Sequence, residues 1–233
     1  MKIMSFNTQH CMNYVTKEID YQIMADAIIK CHADIVGLQE MRYEDPESNF
    51  TRQTEKLAEL TGMKYFYFAK AVNIFDDDGW FGNGFISRIP ITEATTIPIP
   101  DPVEKTGTEL YETRCILKAK LENGYTVLCT HFGLNHDEHI NAVQTVINNL
   151  EDEKCILMGD FNARPDNEIL NPIREKMKDT AETFSEPLLS FPSDKPNRKI
   201  DYIFVTKDVK VIGADIPAIV AADHRPHTAE IEL

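Results

Sequence analysis

Apolar positions along the chain change spacing several times, and each change marks an element. Residues 2–6 form a short apolar run that predicts a strand. Over residues 18–31, Ile19, Ile23, Ala27 and Cys31 recur every four positions, the spacing of one helical face. Residues 34–38 return to a continuous apolar run, so the chain opens as β-α-β. Residues 51–61 predict a second helix closed by Gly62, since glycine takes the left-handed backbone that helix ends favour. An aromatic-rich strand over 64–71 follows.

From Asn83 the spacing shortens. GNGFISRIPI and TRCILKAKLENGYTVLCTHF read as strands in hairpins, with Asn123-Gly124 as the clearest turn. Residues 135–150 predict a helix: Asn135 caps it, Glu138 completes a capping box, and Ile140, Val143, Ile147 and Leu150 make the stripe. A strand at 155–158 comes next, Asn171-Pro172 opens a short helix, and strands at 199–205, 209–214 and 228–233 close the chain. Strands dominate the middle and end, and consecutive ones often read as antiparallel. The expected fold is α/β (α+β), with two mixed sheets face to face and helices on the outer faces. No linker-like stretch and no repeat interrupts residues 1–233, which predicts one domain.

Charge narrows the function classes. Lys and Arg total 24 against 38 Asp and Glu, a formal charge of -14, and such a field repels polyanions. Tight nonspecific grip on duplex DNA depends on phosphate neutralisation by basic side chains and is disfavoured, unless a local basic rim or bound cations supply it. No window approaches about 18 apolar residues, and the N-terminus lacks an apolar signal core. These features predict a soluble cytoplasmic chain with no stable membrane insertion, although a chain whose leader had been removed would read the same. The five cysteines are odd in number, and Cys129 and Cys155 fall within apolar runs, as buried thiols of a reducing compartment do.

The candidate chemistry lies where apolar runs end. MGDFNARP turns polar after Cys155-Ile156-Leu157 and sets Asp160 and Asn162 two residues apart, a spacing that points both to one side of an extended chain. Other runs end at Asn7, Glu40, His131 and Asp223-His224, and Asp201 interrupts a further one. Gathered at one rim, these groups need a counter-charge, because neighbouring carboxylates repel and partly protonate. Oxygen ligands from Asn7, Glu40, Asp160, Asn162 and Asp223 favour a hard ion, Mg2+ or Mn2+, over Zn2+. Asp201 can orient His224 and stabilise its protonated form. Taken singly, each residue reads equally well as a turn or cap; their repetition is the signal.

SFN, LQE, THF, GDFN, KIDYIF and DHRP occur in that order over residues 5–226 and together resemble the endonuclease/exonuclease/phosphatase superfamily, the deoxyribonuclease I-like fold. The resemblance implies a four-layer α/β sandwich and a metal-dependent phosphoesterase. It implies that Glu40 is the principal metal ligand, with Asn7 and Asp223 nearby. Asp160 would orient or activate water, and Asn162 would hold that water or a phosphate oxygen. His224, held by Asp201, would contact phosphate and act in acid/base chemistry, and His131 would be a second phosphate-contacting histidine. The division of the base role between Asp160 and His224 stays open. Arg114 reads as a phosphate contact or as an exposed strand arginine. Ala222 departs from the serine that many relatives carry, which removes a supporting hydrogen bond.

Other signals weigh less. His131, His136 and His139 are a poor zinc set, since the last two lie in a polar helix start. Asp76-Asp77-Asp78-Gly79 lacks calcium-loop spacing. Trp80-Phe81 reads as a core anchor, with a lipid or base contact as the alternative. The segment 185–198 precedes Asp201 and predicts a pocket wall that sets specificity, and Lys195, Arg198 and Lys199 form the best local basic group. The expected function is Mg2+- or Mn2+-dependent phosphoester hydrolysis, phosphodiesters before monoesters. The partner is a phosphoester substrate: nucleic acid, a lipid headgroup as in sphingomyelin, or a small metabolite such as an inositol phosphate. The rival is a non-catalytic binding module of the same fold.

Overall fold

The computed structural model describes residues 1–73, 79–182 and 188–233. Two six-stranded sheets form its centre. β1 (Lys2–Asn7), β2 (Ile35–Tyr43), β3 (Tyr65–Asn73), β4 (Trp80–Ser87), β11 (Val211–Asp215) and β12 (His227–Ile231) make the first, ordered β11-β12-β1-β2-β4-β3. The second is ordered β5-β6-β7-β8-β10-β9. Its strands are β5 (Ile91–Pro98), β6 (Cys115–Leu121), β7 (Thr126–His131), β8 (Cys155–Asp160), β9 (Met177–Asp179) and β10 (Asp201–Thr206). Ile3, Ile35 and Phe85 of the first sheet pack against Leu117, Val127, Ile156 and Ile203 of the second.

Helices cover both outer faces, which completes the four layers expected from the sequence. α1 (Tyr21–Lys30) and α2 (Gln53–Thr61) bury Met24, Ile28 and Leu57 against Met4, Phe6, Val36 and Leu38. α3 (His136–Ile147) and α4 (Asn171–Lys176) bury Val143, Val146 and Ile173 against Leu128, Leu157 and Phe204. α1 starts later than its apolar spacing suggests because Asp20 caps it, accepting from the N–H groups of Gln22 at 3.0 Å and Ile23 at 3.1 Å. Its buried face is accordingly Met24, Ala27, Ile28 and Cys31, with Ile19 and Ile23 at the margin. Gly62 ends α2 at φ +68°, and Glu138 reaches back to the Asn135 N–H at 3.0 Å to cap α3. The three-residue edge strand β9 escaped the sequence pattern, being too short to show a period.

Each sheet holds one parallel pair: β1 with β2, bridged by α1, and β7 with β8, bridged by α3. Parallel strands joined by a crossover helix end on the same side, and their carboxyl ends form a natural rim. Asn7 ends β1, Glu40 lies near the end of β2, His131 ends β7 and Asp160 ends β8. β10 runs antiparallel to β8 with Asp201 opposite Asp160, which brings a further carboxylate to that rim.

Candidate active site

The acidic groups converge. Asn7 Nδ2 donates to Glu40 Oε1 at 2.9 Å and to Asp160 Oδ2 at 3.0 Å, so one amide ties together carboxylates from opposite sheets. The Asn7 side-chain oxygen Oδ1 accepts from the Gln9 N–H at 3.0 Å, which leaves the amide nitrogen facing the carboxylates. Asp160 Oδ2 is the hub, lying 3.6 Å from both His131 Nε2 and His224 Nε2. His224 Nδ1 bonds Asp201 Oδ2 at 2.8 Å, as the sequence predicted for that pair.

Local backbone geometry aims two of these side chains. Glu40 has φ +59°, unusual for a residue with a side chain, and sits where the β2–β4 register shifts between Leu38 and Met41. The extra residue is a bulge: Leu38 and Met41 both face the helices, and Glu40 between them is turned to the rim. Asn162 has φ +47°, and its N–H bonds Asp160 Oδ1 at 2.9 Å. The convergence of Asp160 and Asn162 therefore comes from a left-handed turn closed by a side chain, not from the alternation of an extended chain. Phe161 between them is fully buried against Phe132, Tyr202 and Phe204, and this pins the turn from below.

Burial dominates the electrostatics. It raises the Glu40, Asp160 and Asp223 carboxyls above the ordinary carboxylate range. Burial opposes a charged His224, but Asp201 and Asp160 together outweigh it and hold the ring protonated. His131 is pushed well down, first by burial and then by the Arg114 guanidinium. Asp201 Oδ1 and Asp223 Oδ1 are buried and lack hydrogen-bond partners among the described residues. Asp160, Asp201 and His224 lie within 4.8 Å of one another, and with the ring protonated they form a carboxylate–imidazolium–carboxylate cluster. Desolvated carboxylates with unpaired oxygens fit a divalent cation.

The other expected residues fall around this centre. Asn162 Nδ2 donates to the Phe132 carbonyl at 3.0 Å and lies 3.2 Å from His131 Nε2. Arg114 Nη1 goes to His131 Nδ1 at 2.9 Å and to Glu112 Oε1 at 3.0 Å. The zinc set does not assemble: His136 is exposed, and His139 bonds the Gly133 carbonyl at 2.8 Å. Trp80 is half-buried beneath the Lys70 ammonium, 4.8 Å from the ring centre, and so is not a core anchor. Asp76, Asp77 and Asp78 lie outside the described residues, as do Ser185 and Pro187.

The rest of the segment before Asp201 holds residues that sequence reasoning missed. Ser193 donates its hydroxyl to the Ala222 carbonyl at 2.6 Å and its N–H to the Asp223 carbonyl at 2.7 Å. Phe191 lies against the His224 ring at 4.8 Å, and Arg198 stacks on Phe191 at 5.5 Å. Ser193 thus clamps the Asp223-His224 turn from another segment. Of the basic group, Lys195 and Arg198 are exposed, but Lys199 is buried in an ion pair with Asp179 at 2.7 Å.

The Endonuclease/Exonuclease/phosphatase family model matches residues 4–224. The chain belongs to this family. Family members are hydrolytic phosphoesterases that generally depend on divalent metal. No curated protein sequence matches the chain. Among solved structures, an endonuclease/exonuclease/phosphatase from Beutenbergia cavernae is similar at TM-score 0.81 and 18% identity, over 100% of this chain and 71% of that one. A mannosyl-6-phosphatase from Bacteroides thetaiotaomicron is similar at TM-score 0.76 and 16% identity, over 100% of both chains. A Neisseria 3' phosphatase bound to a product DNA hairpin is similar at 0.69 and 14%, again over 100% of both. At these identities the neighbours share the endonuclease/exonuclease/phosphatase fold; their substrates belong to them.

Proposed function

We propose that this rim hydrolyses phosphoesters with Mg2+ or Mn2+, a phosphodiester being the first substrate class to expect. One observation carries the reading: a single oxygen, Asp160 Oδ2, has the Asn7 amide and two imidazole nitrogens around it, beside Glu40. Glu40, Asp160 and Asp223 would hold the dication, while Asn7 Nδ2 keeps its hydrogen bonds to the first two carboxylates. When bound, the ion supplies positive charge for phosphorus-bound oxygens and lowers the pKa of a water ligand.

The chain's own residues do the rest. Asp160 accepts the proton of the attacking water through an oxygen that Asn7 orients. His224, kept protonated by Asp201, faces the same space through Nε2 and donates to a phosphate oxygen or to the leaving group. That division gives Asp160 the base role, because an imidazolium has no lone pair to accept with. Asn162, fixed by its turn, orients water or a non-bridging oxygen.

The test is turnover of bis(p-nitrophenyl) phosphate with Mg2+ or Mn2+. Glu40→Ala should lower it at least about a hundredfold, and a wild type inactive across a broad phosphoester panel would favour the binding-module reading. A second reading, phosphomonoester hydrolysis, draws on the mannosyl-6-phosphatase and the 3' phosphatase among the neighbours. Extending the panel to p-nitrophenyl phosphate, plasmid DNA, RNA, sphingomyelin and inositol phosphates separates the substrate classes.

A further inference from the structure

Arg114 and His131 meet where β6 begins and β7 ends. The guanidinium Nη1 lies 2.9 Å from His131 Nδ1, and Glu112 Oε1 holds the same nitrogen from another side at 3.0 Å. A guanidinium has donors only and does not lose its proton in proteins. A hydrogen bond between these atoms therefore requires a bare Nδ1, and a neutral imidazole with a bare Nδ1 carries its proton on Nε2. That nitrogen is the one that faces Asp160 Oδ2 at 3.6 Å.

One contact competes. Asn162 Nδ2 is 3.2 Å from His131 Nε2, and an amide hydrogen aimed there would demand the opposite tautomer. A neutral ring cannot accept at both nitrogens. The Arg114 contact is shorter and charge-assisted, and such bonds are roughly twice as strong as neutral ones. Asn162 has the Phe132 carbonyl at 3.0 Å as another acceptor, whereas His131 is the only acceptor besides Glu112 within reach of Nη1 among the described contacts. The guanidinium wins.

We propose that Arg114 is a positioning residue that fixes His131 as the Nε2–H tautomer, so that an uncharged N–H donor points at the centre of the site. Resting on the phosphoesterase reading, this makes His131 a hydrogen-bond donor to a phosphate oxygen beside the charged donor His224, and it excludes His131 as a base. Arg114 then acts through His131, with Nη1 committed to the ring and to Glu112 instead of to phosphate.

Long-range 1H–15N correlation spectra of uniformly 15N-labelled protein at neutral pH, with and without Mg2+, read the tautomer directly, and a His131→Gln sample assigns the ring. In the wild type Nδ1 should resonate as the bare nitrogen and Nε2 as the protonated one. Arg114→Met leaves Asn162 as the remaining donor and should move the proton to Nδ1, while Arg114→Lys should restore the wild-type pattern. In the same variants kcat should fall about 10- to 100-fold for Arg114→Met with KM little changed, and recover in part for Arg114→Lys. A wild-type ring protonated on Nδ1, or on both nitrogens, overturns the proposal, and so does an unchanged tautomer in Arg114→Met. Should that variant fail to fold because Glu112 is left unpaired, the double variant Arg114→Met/Glu112→Gln serves instead. The spectra need no turnover, so an inactive wild type would overturn the phosphoesterase reading alone while the tautomer stayed decidable.

Discussion

His227 is fully buried, donates Nδ1–H to the Asp201 carbonyl at 3.3 Å, and has no partner for Nε2 among the described residues. Burial, with the Lys199 ammonium nearby, pushes its pKa down to about 4. Between that value and the unfolded value near 6.5 the unfolded chain holds the extra proton, so stability is complete above pH 6.5 and is lost as pH falls toward 4. At full extent the loss is roughly 3 kcal/mol. His227→Phe removes the titrating group and should flatten this acid limb in urea unfolding measured from pH 8 to pH 4.5; an unchanged slope would show that the ring titrates normally. Single residues also mark where sequence reading ran out. Asn7, Glu40, Asp160 and His224 were legible because each follows an apolar run. Arg114 was legible only as a cation near a strand start, since its partner His131 lies across a strand pair.

At the scale of elements, the turn after β8 shows how the fold and the site depend on one another. Gly159 precedes Asp160 at φ +156°, and a Cβ there would come within 2.0 Å of the Thr130 carbonyl. Gly159→Ala should destabilise the protein by at least about 2 kcal/mol, whereas Gly213→Ala in β11, with open space around the added methyl, should be close to neutral. Equal midpoints in chemical denaturation would contradict this account of the turn. The elements themselves were largely readable: strands at β1, β3 and β8 and helices at α2 and α3 follow from period and caps. Apart from the short edge strand β9, two features were not. β2 runs on to Tyr43 because its bulge restores the buried face at Met41, and an inserted residue breaks the very alternation that reveals a strand. The turn at Asn162 depends on a side-chain hydrogen bond from Asp160, which no apolar pattern reports.

The whole molecule carries a net charge of -14, and it buries several of its carboxylates at one rim. Their raised pKa values mean that, without a cation, the charged forms oppose folding at neutral pH. A dication that binds the folded rim should therefore stabilise it, by about 2.7 kcal/mol at a free concentration a hundredfold above its Kd. For a chain of this size that is roughly 5 to 10 °C in melting temperature. Glu40→Gln should invert the pattern, melting higher than wild type in EDTA and gaining little from millimolar Mg2+. A wild-type melting temperature indifferent to Mg2+ and Mn2+ would remove the dication from the rim. No helix among the described residues is long and apolar enough to cross a membrane.

What the sequence determined by itself was the inventory: which strands and helices form, and which polar residues stand at their ends. Those are local properties, because helix and strand periods, caps and turns are set within a few residues. The tertiary structure alone decided which ends meet. It placed Glu40 and Asp160 on opposite sheets about one amide nitrogen, turned Lys199 inward to Asp179, clamped the Ala222 carbonyl with Ser193, and handed Arg114 to His131. Sheet order and the packing of one sheet on another are fixed by contacts between residues far apart along the chain, and the periodicity of either partner carries no record of the other.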